Sequence, residues 1–340
     1  MTDYLIEDLT SDNEKEWDTF VEYFNDGSFY HTIKWKNIIE RSFGFKQHCF
    51  LIRYKEKIIA ICPFFEITIK GFKGLELLPR SDYNYLLIEE AHFNESIIKL
   101  ILDKTQNIIK NNKLSFNIVH TNNKKCEKIF NNNKNLSYPI EGNMEVNIRE
   151  NNPDKIWNEI FSRKDNQRKY IKRFDNDGFK LREINTKKDL EIFYNYYKEN
   201  LKFIKAPFHP FSHFENLLNT CSSSDMRITL LFKDEIIAGG LLAFLFPHKK
   251  IMYLRYLSLN RSLPNKYHPP FYLYWDAIIK ASKMDYEKVS FGSTPNDQGD
   301  YNYRLKKKFG CNYIDIYTFI LQYSTTFNLS SKMYRLIKNV

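Results

Sequence analysis

The sequence predicts an α/β protein with mixed sheets (α+β) and two domains, and three observations support this. With 340 residues the chain is longer than one ordinary hydrophobic core accommodates. A hydrophobic fraction of 43% and an aromatic fraction of 16% indicate a globular protein whose core is rich in Phe and Tyr. Helix-like and strand-like patterns alternate along the chain, and Asn151-Asn152-Pro153 begins a new helical segment. We therefore predict domains at 1–150 and 151–340.

The first half of the chain alternates between the two patterns. Trp17, Phe20, Val21 and Phe24 recur with the period of a helix, which places them on one face. Short runs rich in Ile, Phe and Leu predict strands. The predicted helices are Glu14–Asn25, Ile33–Phe43 and Glu95–Lys110, and the predicted strands are Gln47–Tyr54, Lys57–Thr68, Gly74–Leu78 and Leu114–Val119.

The second half begins with a capped helix. Pro153 suits the first helical turn, the two Asn residues before it can cap that turn, and Asp177-Gly178 ends the run. The predicted helices are Asp154–Asp175, Lys187–Leu201, Pro210–Asn219 and Phe271–Met284, and the predicted strands are Phe179–Ile184, Met226–Phe232, Ile236–Phe246, Lys249–Leu257, Lys288–Phe291 and Tyr313–Gln322.

Each half contains a similar hairpin. LIRYKEKIIAICPF and LLFKDEIIAGGLLAF both consist of an apolar run, a charged turn and a second apolar run. The match predicts a structural duplication of the two halves.

Charge narrows the class of partner. The formal net charge of +10 favours anionic partners such as nucleic acid, phosphorylated substrates, nucleotides or an acidic membrane surface. The alternative is compositional, because Lys and Asn are abundant throughout the chain. The basic, aromatic-rich composition matches no RNA-binding motif, and we predict no DNA partner, while tRNA stays open.

Cysteine usage and the ends of the chain indicate a cytoplasmic protein. The number of cysteines is odd and no CxxC pair occurs, which argues against a disulfide framework and a zinc ribbon. His209 and His213 have i,i+4 spacing but lack a third ligand, so we predict no metal site. The acidic N-terminal segment does not resemble a signal peptide. No apolar run approaches the roughly 20 residues of a membrane span, although contact with a membrane surface stays open.

Phe291–Gly310 is the most informative segment. An apolar run ends at Gly292-Ser293-Thr294-Pro295, a loop rich in Gly, Asn and Asp follows, and three lysines precede Phe309-Gly310. A strand that ends in small residues leaves backbone groups open for a ligand, and the lysines can meet negative charge. The segment therefore favours transfer chemistry on an anionic substrate over a passive scaffold.

Several segments together resemble a known family. The pattern FGS…G…LKKKFG is similar to the C-terminal signature of FemAB-like proteins, a branch of the GNAT superfamily of N-acetyltransferases. The resemblance covers nearly the whole chain and is carried, in order, by GSFYHTIKWKNIIERSFGF, LPRSDYNY, NQRKYIKRFDNDGF, FYNYYKENLKFIKAPFHPFSHFENLL and IIAGGLLAF. It implies two tandem GNAT-like domains packed side by side.

The resemblance also implies an acyltransferase. Its members join an activated acyl or aminoacyl group to an amine. The donor is acyl-CoA or aminoacyl-tRNA, and the acceptor is a cell-wall precursor, a nucleotide-linked sugar or a small amine. We therefore expect an N-acyltransferase of cell envelope biogenesis that transfers the group directly to an amino sugar or an amino-acid-bearing nucleotide conjugate.

Two alternatives remain. One is an aminoacyl-tRNA-dependent peptidyltransferase of cell-wall type. No heptad run of the length of a coiled-coil arm is visible, which disfavours it. The other is a non-catalytic binding protein on the same fold.

Two residues are candidates for catalysis. Lys306 aligns with the Lys of the family's Phe-Lys pair, although Leu305 replaces the Phe. Its ammonium can stabilise an oxyanion or bind a donor phosphate, whereas the alternative is a solvated basic turn. Asp82 follows a strand in a Pro-bounded loop and can accept the amine's proton or bind the ammonium. The alternative is that Asp82 caps a turn.

Other residues are candidates for substrate binding. Lys36 is a candidate phosphate contact, whereas the neighbouring Trp35 is expected in the core. Tyr83 is a candidate because it adjoins Asp82. Arg168 and Lys172 are four residues apart and share a helix face that can hold a pyrophosphate or a tRNA backbone, unless that face is merely solvated.

The last candidates lie in the C-terminal third. Arg255 places a charge in an apolar strand, so it needs a ligand or a partner such as Asp276 or Glu287. Tyr267 lies in the corner that replaces the Gly-rich, phosphate-binding loop of ordinary acetyltransferases, which puts acyl-CoA in doubt as donor. Gly292 and Ser293 complete the set through their backbone groups.

Overall fold

The computed structural model describes residues 4–123, 125–126, 136–161 and 166–327, with the backbone alone over 136–140. These residues group into two units. The first unit contains the described residues up to Gly142 and those from Asp315 onwards, and the second unit is Asn143–Ile314. The domain limits predicted from the sequence stay a prediction.

The first unit combines α-helices with short strands. One sheet has the order β1-β3-β4-β7, and a second ladder runs β15-β8-β6-β5-β2, with β6 and β8 parallel. The elements are β1 Tyr4–Asp8, α1 Glu14–Tyr23, α2 Ile33–Phe43, β2 Lys46–Gln47, β3 Phe50–Tyr54, β4 Lys57–Cys62, β5 Phe64–Ile69, β6 Phe72–Leu77, β7 Leu87–Ile88, α3 Glu95–Asn112, β8 Phe116–Thr121 and β15 Asn312–Gln322, which the unit includes from Asp315.

Local sequence signals account for these helices. Thr32 caps α2, because its hydroxyl accepts a hydrogen bond from the backbone N–H of Trp35 at 3.2 Å. The helix ends at Gly44, whose φ of +65° lies in the left-handed region that glycine favours. Asn94 caps α3 in the same way, with 3.1 Å between its Oδ1 and the N–H of Ile97.

The second unit contains strands in the order β10-β11-β12-β13-β14, with β9 beside β14. Its elements are β9 Leu136–Asn147 (which the unit includes from Asn143), α4 Pro153–Lys155 continuing as a π-helical turn Ile156–Ile160, α5 Gln167–Asn176, β10 Lys180–Glu183, α6 Lys187–Phe203, α7 Phe211–Thr220, β11 Met226–Lys233, β12 Ile236–Phe246, β13 Ile251–Leu259, α8 Pro269–Lys283, β14 Lys288–Pro295 and α9 Tyr301–Lys307. The core includes Phe174, Leu254, Ile278 and Phe309.

Strands β13 and β14 diverge after a short paired region. They run parallel and pair from Ile251 opposite Lys288 to Tyr253 opposite Ser290. Beyond that point β13 continues to Leu259 and β14 to Pro295. The register between β12 and β13 shifts at Arg255, which is the additional residue of a bulge. Because a bulge bends and twists its strand, it favours this divergence.

The two predicted hairpins share their geometry. Each turns over two residues, and the first of these has a positive φ, 55° at Lys55 and 49° at Asp234. Each pair of strands also contains a register shift, at Ile52/Arg53 in the first and at Leu231/Phe232 in the second. The structural duplication thus extends from the sequence pattern to the backbone.

Three sequence-based assignments differ from the structure. The helix predicted over Asp154–Asp175 is broken, because Phe161 is extended, with φ −65° and ψ 104°, and α5 begins only at Gln167. The strand predicted over Lys57–Thr68 is interrupted at Pro63, which has no N–H to continue the ladder. Strand β1 and helix α9 were not predicted, since both are too short to show a clear period.

Candidate functional site

Lys306 lies in α9, is 6% exposed and extends its ammonium to the end of β14. Its ammonium donates to the carbonyl oxygens of Gly292 at 3.3 Å and Ser293 at 2.9 Å, and to the Thr294 hydroxyl at 2.5 Å. The alternative of a solvated basic turn therefore does not describe Lys306. All three of these oxygens are uncharged, so they hold the ammonium in place without cancelling its charge.

The segment around Lys306 is fixed from several sides. Gly292 has a φ of +71°, a left-handed conformation that turns the end of β14 and that other residues rarely adopt. Asp300 caps α9 by accepting from the N–H of Tyr303 at 3.0 Å. The Tyr313 hydroxyl donates to the carbonyl oxygen of Thr294 at 3.1 Å. The site predicted at Gly292, Ser293 and Lys306 thus comes together in a defined geometry.

Asp82 is buried in the first unit with 6% exposure. The Tyr30 hydroxyl donates to its Oδ2 at 2.9 Å, and the ring of Tyr30 stacks on that of Tyr83 with 6.1 Å between ring centroids. The indole N–H of Trp35 donates to the hydroxyl of Ser81 at 2.7 Å, which ties this loop to α2. Asp82 and Tyr83 thus belong to one aromatic, hydrogen-bonded cluster.

Lys36 is also buried, but its described partners are carboxylates. Its ammonium lies 3.4 Å from Glu14 and 3.5 Å from Glu40. An ammonium between two carboxylates is electrically compensated. A phosphate at Lys36 would compete with both of them.

The predicted pair on α5 separates into two roles. Arg168 donates through Nη2 to the carbonyl oxygens of Asn158 at 3.1 Å and Phe161 at 2.9 Å, so it holds the end of the preceding π-helical turn. Lys172 is exposed, and its ammonium lies 5.9 Å from the ring centroid of Trp157. Lys172 is therefore open to a ligand, while two bonds of Arg168 serve the fold.

A cavity of about 430 Å³ lies beside α5, and it is mainly basic. Its lining is Lys169, Lys172, Arg173, Asn176 and Asp177. The one carboxylate, that of Asp177, accepts from the Tyr267 hydroxyl at 2.5 Å, and this hydrogen bond lowers the pKa of Asp177. Arg173 donates to the carbonyl oxygen of Lys266. Tyr267 thus contacts the rim of a cavity suited to phosphate oxygens.

The start of α8 does not offer the N–H groups that usually bind phosphate at a helix end. Pro269 and Pro270 occupy the first two positions and have no N–H. The next N–H, that of Phe271, donates to the carbonyl oxygen of His268 at 3.1 Å. The pyrophosphate of a CoA donor would therefore have to bind to side chains and not to this helix end.

Arg255 belongs to a further aromatic cluster of the second unit. Its guanidinium lies 5.1 Å from the ring centroid of Tyr256, whose hydroxyl is 2.8 Å from Nε2 of the buried His213. Burial lowers the pKa of His213 well below its usual value, and the charge of Arg255 acts in the same direction. The carboxylates considered from sequence have other described partners, Lys280 for Asp276 and Arg149 for Glu287.

A larger cavity of about 1230 Å³ lies in the first unit, beside α1 and the segment from Leu86 to Phe93. None of the sequence-predicted site residues lines it. Part of its ionic rim is mutually paired, with Arg53 2.9 Å from Glu16 and Lys57 2.8 Å from Glu89. The rim therefore shows no charge pattern that selects an anionic substrate.

Within the described ranges, no group of three His, Cys, Asp or Glu side chains is arranged to hold a metal ion. Over the same ranges, no helix is both long and apolar enough to span a bilayer.

Comparison with known proteins finds one matching domain family. Residues 162–305 match the family model described as "Acetyltransferase (GNAT) domain". This segment of the chain is similar to a GNAT acetyltransferase domain. The match contains α5, the diverging strands β13 and β14, and α9 up to Leu305. The predicted GNAT resemblance is thus confirmed over this segment, and with it an acyltransferase domain.

Solved structures confirm the fold. A crystal structure of FemX superposes with a TM-score of 0.69 at 14% identity and covers 98% of this chain and 99% of FemX. A tandem GNAT protein from the clavulanic acid biosynthesis pathway gives 0.63 at 7% identity, with coverages of 94% and 98%. N-myristoyltransferase of Saccharomyces cerevisiae with bound myristoyl-CoA and inhibitors gives 0.56 at 12% identity, with coverages of 95% and 81%. The mixed α/β fold with tandem GNAT-like domains is therefore confirmed, while comparison with curated proteins yields no match.

Sequence reasoning missed the partners of its own candidates. Thr294 lies 12 residues before Lys306, and Tyr30 lies 52 residues before Asp82, separations at which a single sequence carries no contact signal. Lys169 and Arg173 also lie on α5 and line the cavity beside it. Their spacing of four residues places them on one helix face, and this spacing could have indicated the cavity from the sequence.

Proposed function

We propose that the protein is an N-acyltransferase that moves an acyl or aminoacyl group from an activated donor to the amine of an anionic acceptor. The acceptor class is a small or cell-envelope precursor, such as an amino sugar or an amino-acid-bearing nucleotide conjugate. One observation carries the proposal: the buried ammonium of Lys306, the residue directly after the matched GNAT segment, is held by uncharged oxygens at the end of β14.

The chemistry needs a fixed positive charge at this kind of position. The neutral amine nitrogen attacks the carbonyl carbon of a thioester or ester, a C–N bond forms, and the carbonyl oxygen becomes negative. The carbonyl then re-forms as the C–S or C–O bond breaks, the nitrogen loses a proton, and the leaving group gains one. An ammonium placed beforehand stabilises the oxyanion without reorganising in the reaction. Lys306 donates a hydrogen bond to the oxyanion once the Thr294 hydroxyl rotates away from one N–H of the Lys306 ammonium.

Lys306 can do this because its other contacts persist. The carbonyl oxygens of Gly292 and Ser293 lie at 3.3 and 2.9 Å and keep the ammonium oriented, while the Thr294 hydroxyl, which can rotate, yields to the oxyanion. Backbone N–H and C=O groups near the end of β14 would bind a donor that carries amide groups. Gly292 and Ser293 would thus act through their backbone.

For the first unit we assign acceptor binding to the Asp82 cluster. Asp82 would bind the acceptor's ammonium or take its proton, and Tyr30 would orient the carboxylate through the 2.9 Å hydrogen bond. Tyr83 would contact the acceptor beside it, and Lys36 would bind a phosphate in competition with its two carboxylates.

In the second unit, the basic cavity beside α5 would hold donor phosphates. Lys172 and Lys169 are exposed, while Arg168 fixes the segment that precedes the helix. The hydroxyl of Tyr267 would stay hydrogen-bonded to the Asp177 carboxylate at the rim of the cavity. This hydrogen bond would weaken the repulsion between Asp177 and a phosphate. Arg255 would orient the aromatic cluster of Tyr256 and His213.

Acyl-CoA is the proposed donor, and aminoacyl-tRNA is the alternative. Proline at the first two positions of α8 favours the alternative, because it removes the helix-end N–H groups that a CoA pyrophosphate would use. Both donors occur in the cytoplasm, which is the compartment that we propose. The five cysteines, all of them free, are compatible with a reducing compartment.

The experiment is a transfer assay with the full chain. Panels of acyl-CoA and aminoacyl-tRNA donors are incubated with amine-bearing nucleotide-sugar acceptors, and products are detected by mass spectrometry. Once a pair is found, Lys306→Met is expected to lower kcat by about 100-fold or more, the scale of losing one oxyanion donor. Lys306→Arg should retain part of the rate, and Asp82→Asn should lower kcat because it removes the carboxylate that would receive the amine's proton.

Two controls separate charge from structure. Thr294→Val removes one hydrogen bond of Lys306 but leaves the ammonium, so it should reduce kcat far less than Lys306→Met. Lys307→Met changes an exposed neighbour and should leave kcat unchanged. Equal losses in Lys306→Met and Thr294→Val would show a purely structural role, and full activity of Lys306→Met would reject the proposal.

A further inference from the structure

A short segment of the second unit exposes three large apolar side chains close together. Phe203 is 67% exposed, Ile204 49% and Phe208 38%. The other large apolar side chains exposed among the described residues are scattered singly along the sequence, which is normal for a protein surface. We call Phe203, Ile204 and Phe208 the apolar patch. Its concentration within six residues requires an explanation.

Cationic side chains accompany the apolar patch. Lys198 places its ammonium 5.8 Å from the ring centroid of Phe208, and Arg261 places its guanidinium 4.9 Å from that of Phe203. Lys202 and Lys205 are exposed on either side of Phe203 and Ile204. From Lys198 to Lys205 the sequence has three lysines and one glutamate, so the surroundings of the patch are net positive.

The segment that carries the patch is held in position. The Tyr194 hydroxyl donates to the carbonyl oxygen of His209 at 3.2 Å, and the N–H of His209 donates to the Tyr197 hydroxyl at 3.3 Å. The N–H of Ala206 donates to the carbonyl oxygen of Leu201 at 2.9 Å, and Pro207 restricts the backbone further. A fixed loop cannot fold its apolar side chains inward, so the patch is presented to whatever covers it.

We propose that the apolar patch docks the protein onto an anionic lipid bilayer. Apolar side chains that enter the interfacial region, beside lysines that meet anionic headgroups, are the two components of reversible membrane-surface binding. A small ligand requires a concave site, and the cavities described above are lined by other residues. The positive charge around the apolar patch favours a partner whose surface is both apolar and negatively charged, as that of an anionic bilayer is. This inference goes beyond the proposed transfer activity and does not depend on it.

Vesicle flotation with the full chain tests the proposal. One vesicle contains phosphatidylglycerol and phosphatidylethanolamine, and the other contains phosphatidylcholine alone. The protein should float with the anionic vesicles at low salt and bind the neutral ones at least about tenfold more weakly, since charge and apolar insertion act together. Binding should decrease as salt rises, because screening weakens the contribution of the lysines.

Matched variants identify the surface. Phe203→Ser with Ile204→Ser should weaken binding to anionic vesicles by about tenfold or more, because both side chains lose their burial in the interface. Tyr23→Ser is the control, since Tyr23 is 80% exposed in the first unit and lies outside the patch. Both changes affect exposed positions, and circular dichroism verifies that each variant is folded.

Three outcomes would overturn the proposal. The first is no binding of the wild type to anionic vesicles at low salt. The second is equal binding by the wild type and the Phe203→Ser, Ile204→Ser variant. The third is a wild-type dimer in sedimentation velocity that the same variant converts to a monomer, because the patch would then be covered by a second copy of the chain. Loss of flotation in this variant alone, with Tyr23→Ser unchanged, would support it.

Discussion

Among the described residues, each unit buries one lysine, and the described partners of these two lysines differ. Lys36 of the first unit is 8% exposed and lies between the carboxylates of Glu14 and Glu40. Lys306 of the second unit is 6% exposed, and the three hydrogen bonds described above go to two carbonyl oxygens and a hydroxyl. Among the contacts described, the buried ammonium of Lys36 thus meets carboxylates and that of Lys306 meets neutral oxygens.

The difference separates a structural ion pair from a functional charge. Carboxylates cancel the field of an ammonium, while carbonyl and hydroxyl oxygens orient it and leave its charge effective at short range. The second unit is therefore better prepared to stabilise negative charge that develops in a reaction. The first unit is better prepared to hold its helices in place, because Glu14 and Lys36 connect α1 to α2.

Each unit also buries a neutral histidine. In the first unit, Nε2 of His31 faces the carbonyl oxygen of Tyr85 at 2.9 Å, so Nε2 must carry the proton and Nδ1 must accept from the Ser28 hydroxyl at 2.7 Å. Burial lowers the pKa of His31 to about 4. In the second unit, burial likewise lowers the pKa of His213. Burial thus favours the neutral form of both histidines, whereas the described partners of the two buried lysines differ in charge.

The largest expected effect is the loss of stability of the first unit in acid. The pKa of His31 is about 4 in the folded chain against a usual value of 6.5, so below pH 6.5 the unfolded chain binds this proton more readily. Stability should fall as the pH decreases from 6.5 to about 4, by a total of about 3 kcal/mol for this group. Hydrogen exchange of α2 peptides against pH measures it.

The control is His31→Gln, whose amide can still donate to the carbonyl oxygen of Tyr85 but does not titrate. This variant should be less stable than the wild type at neutral pH but have a flatter dependence below pH 6.5. Peptides from β12 in the second unit should retain the wild-type dependence. An equally steep acid dependence of α2 in both proteins would show that His31 is not the group responsible.

Much of the fold could be predicted from the sequence because its signals are local. The limits of α2 agree with the prediction, since Thr32 and Gly44 mark both ends of a periodic segment. The strand Ile236–Phe246 agrees as well, because a charged turn precedes a long apolar run. The break at Phe161 was not predictable, because it depends on tertiary contacts, such as Arg168 reaching back to the carbonyl oxygens of the preceding turn.

Less of the candidate site could be predicted from the sequence. The residue types and the strand end around Gly292 and Lys306 were visible as a motif, but the burial of Lys306 was not, since three successive lysines are typical of a solvated turn. That Arg168 serves the backbone while Lys172 is exposed was equally hidden, because residues on one helix face can have different neighbours. Sequence thus identified the candidates, and packing assigns their partners.

The next effect is smaller and concerns the second unit. Lys306→Met should lower the free energy of unfolding by about 2 kcal/mol, because the carbonyl oxygens of Gly292 and Ser293 lose a charged donor where water has little access. Urea denaturation, followed by hydrogen exchange of peptides from β14, measures it. Lys307→Met should change stability by less than about 0.5 kcal/mol, as expected for an exposed position. Equal stabilities of the two variants would contradict a structural contribution of the buried ammonium.

The smallest expected effect tests the ion-paired lysine of the first unit. In Lys36→Met, the freed carboxylates can still reach water, since the side chains of Glu14 and Glu40 are 37% and 25% exposed. The variant should therefore lose only about 1 kcal/mol of stability, and the pairing of Lys36 with Glu40 should contribute about 0.5 kcal/mol of it. A double-mutant cycle of Lys36→Met and Glu40→Gln, measured by urea denaturation, isolates that pairing. A larger loss of unfolding free energy in Lys36→Met than in Lys306→Met would show that carboxylates hold a buried ammonium more strongly here than neutral oxygens do. The two lysines would then differ in their functional role and not in the order of their contributions to stability.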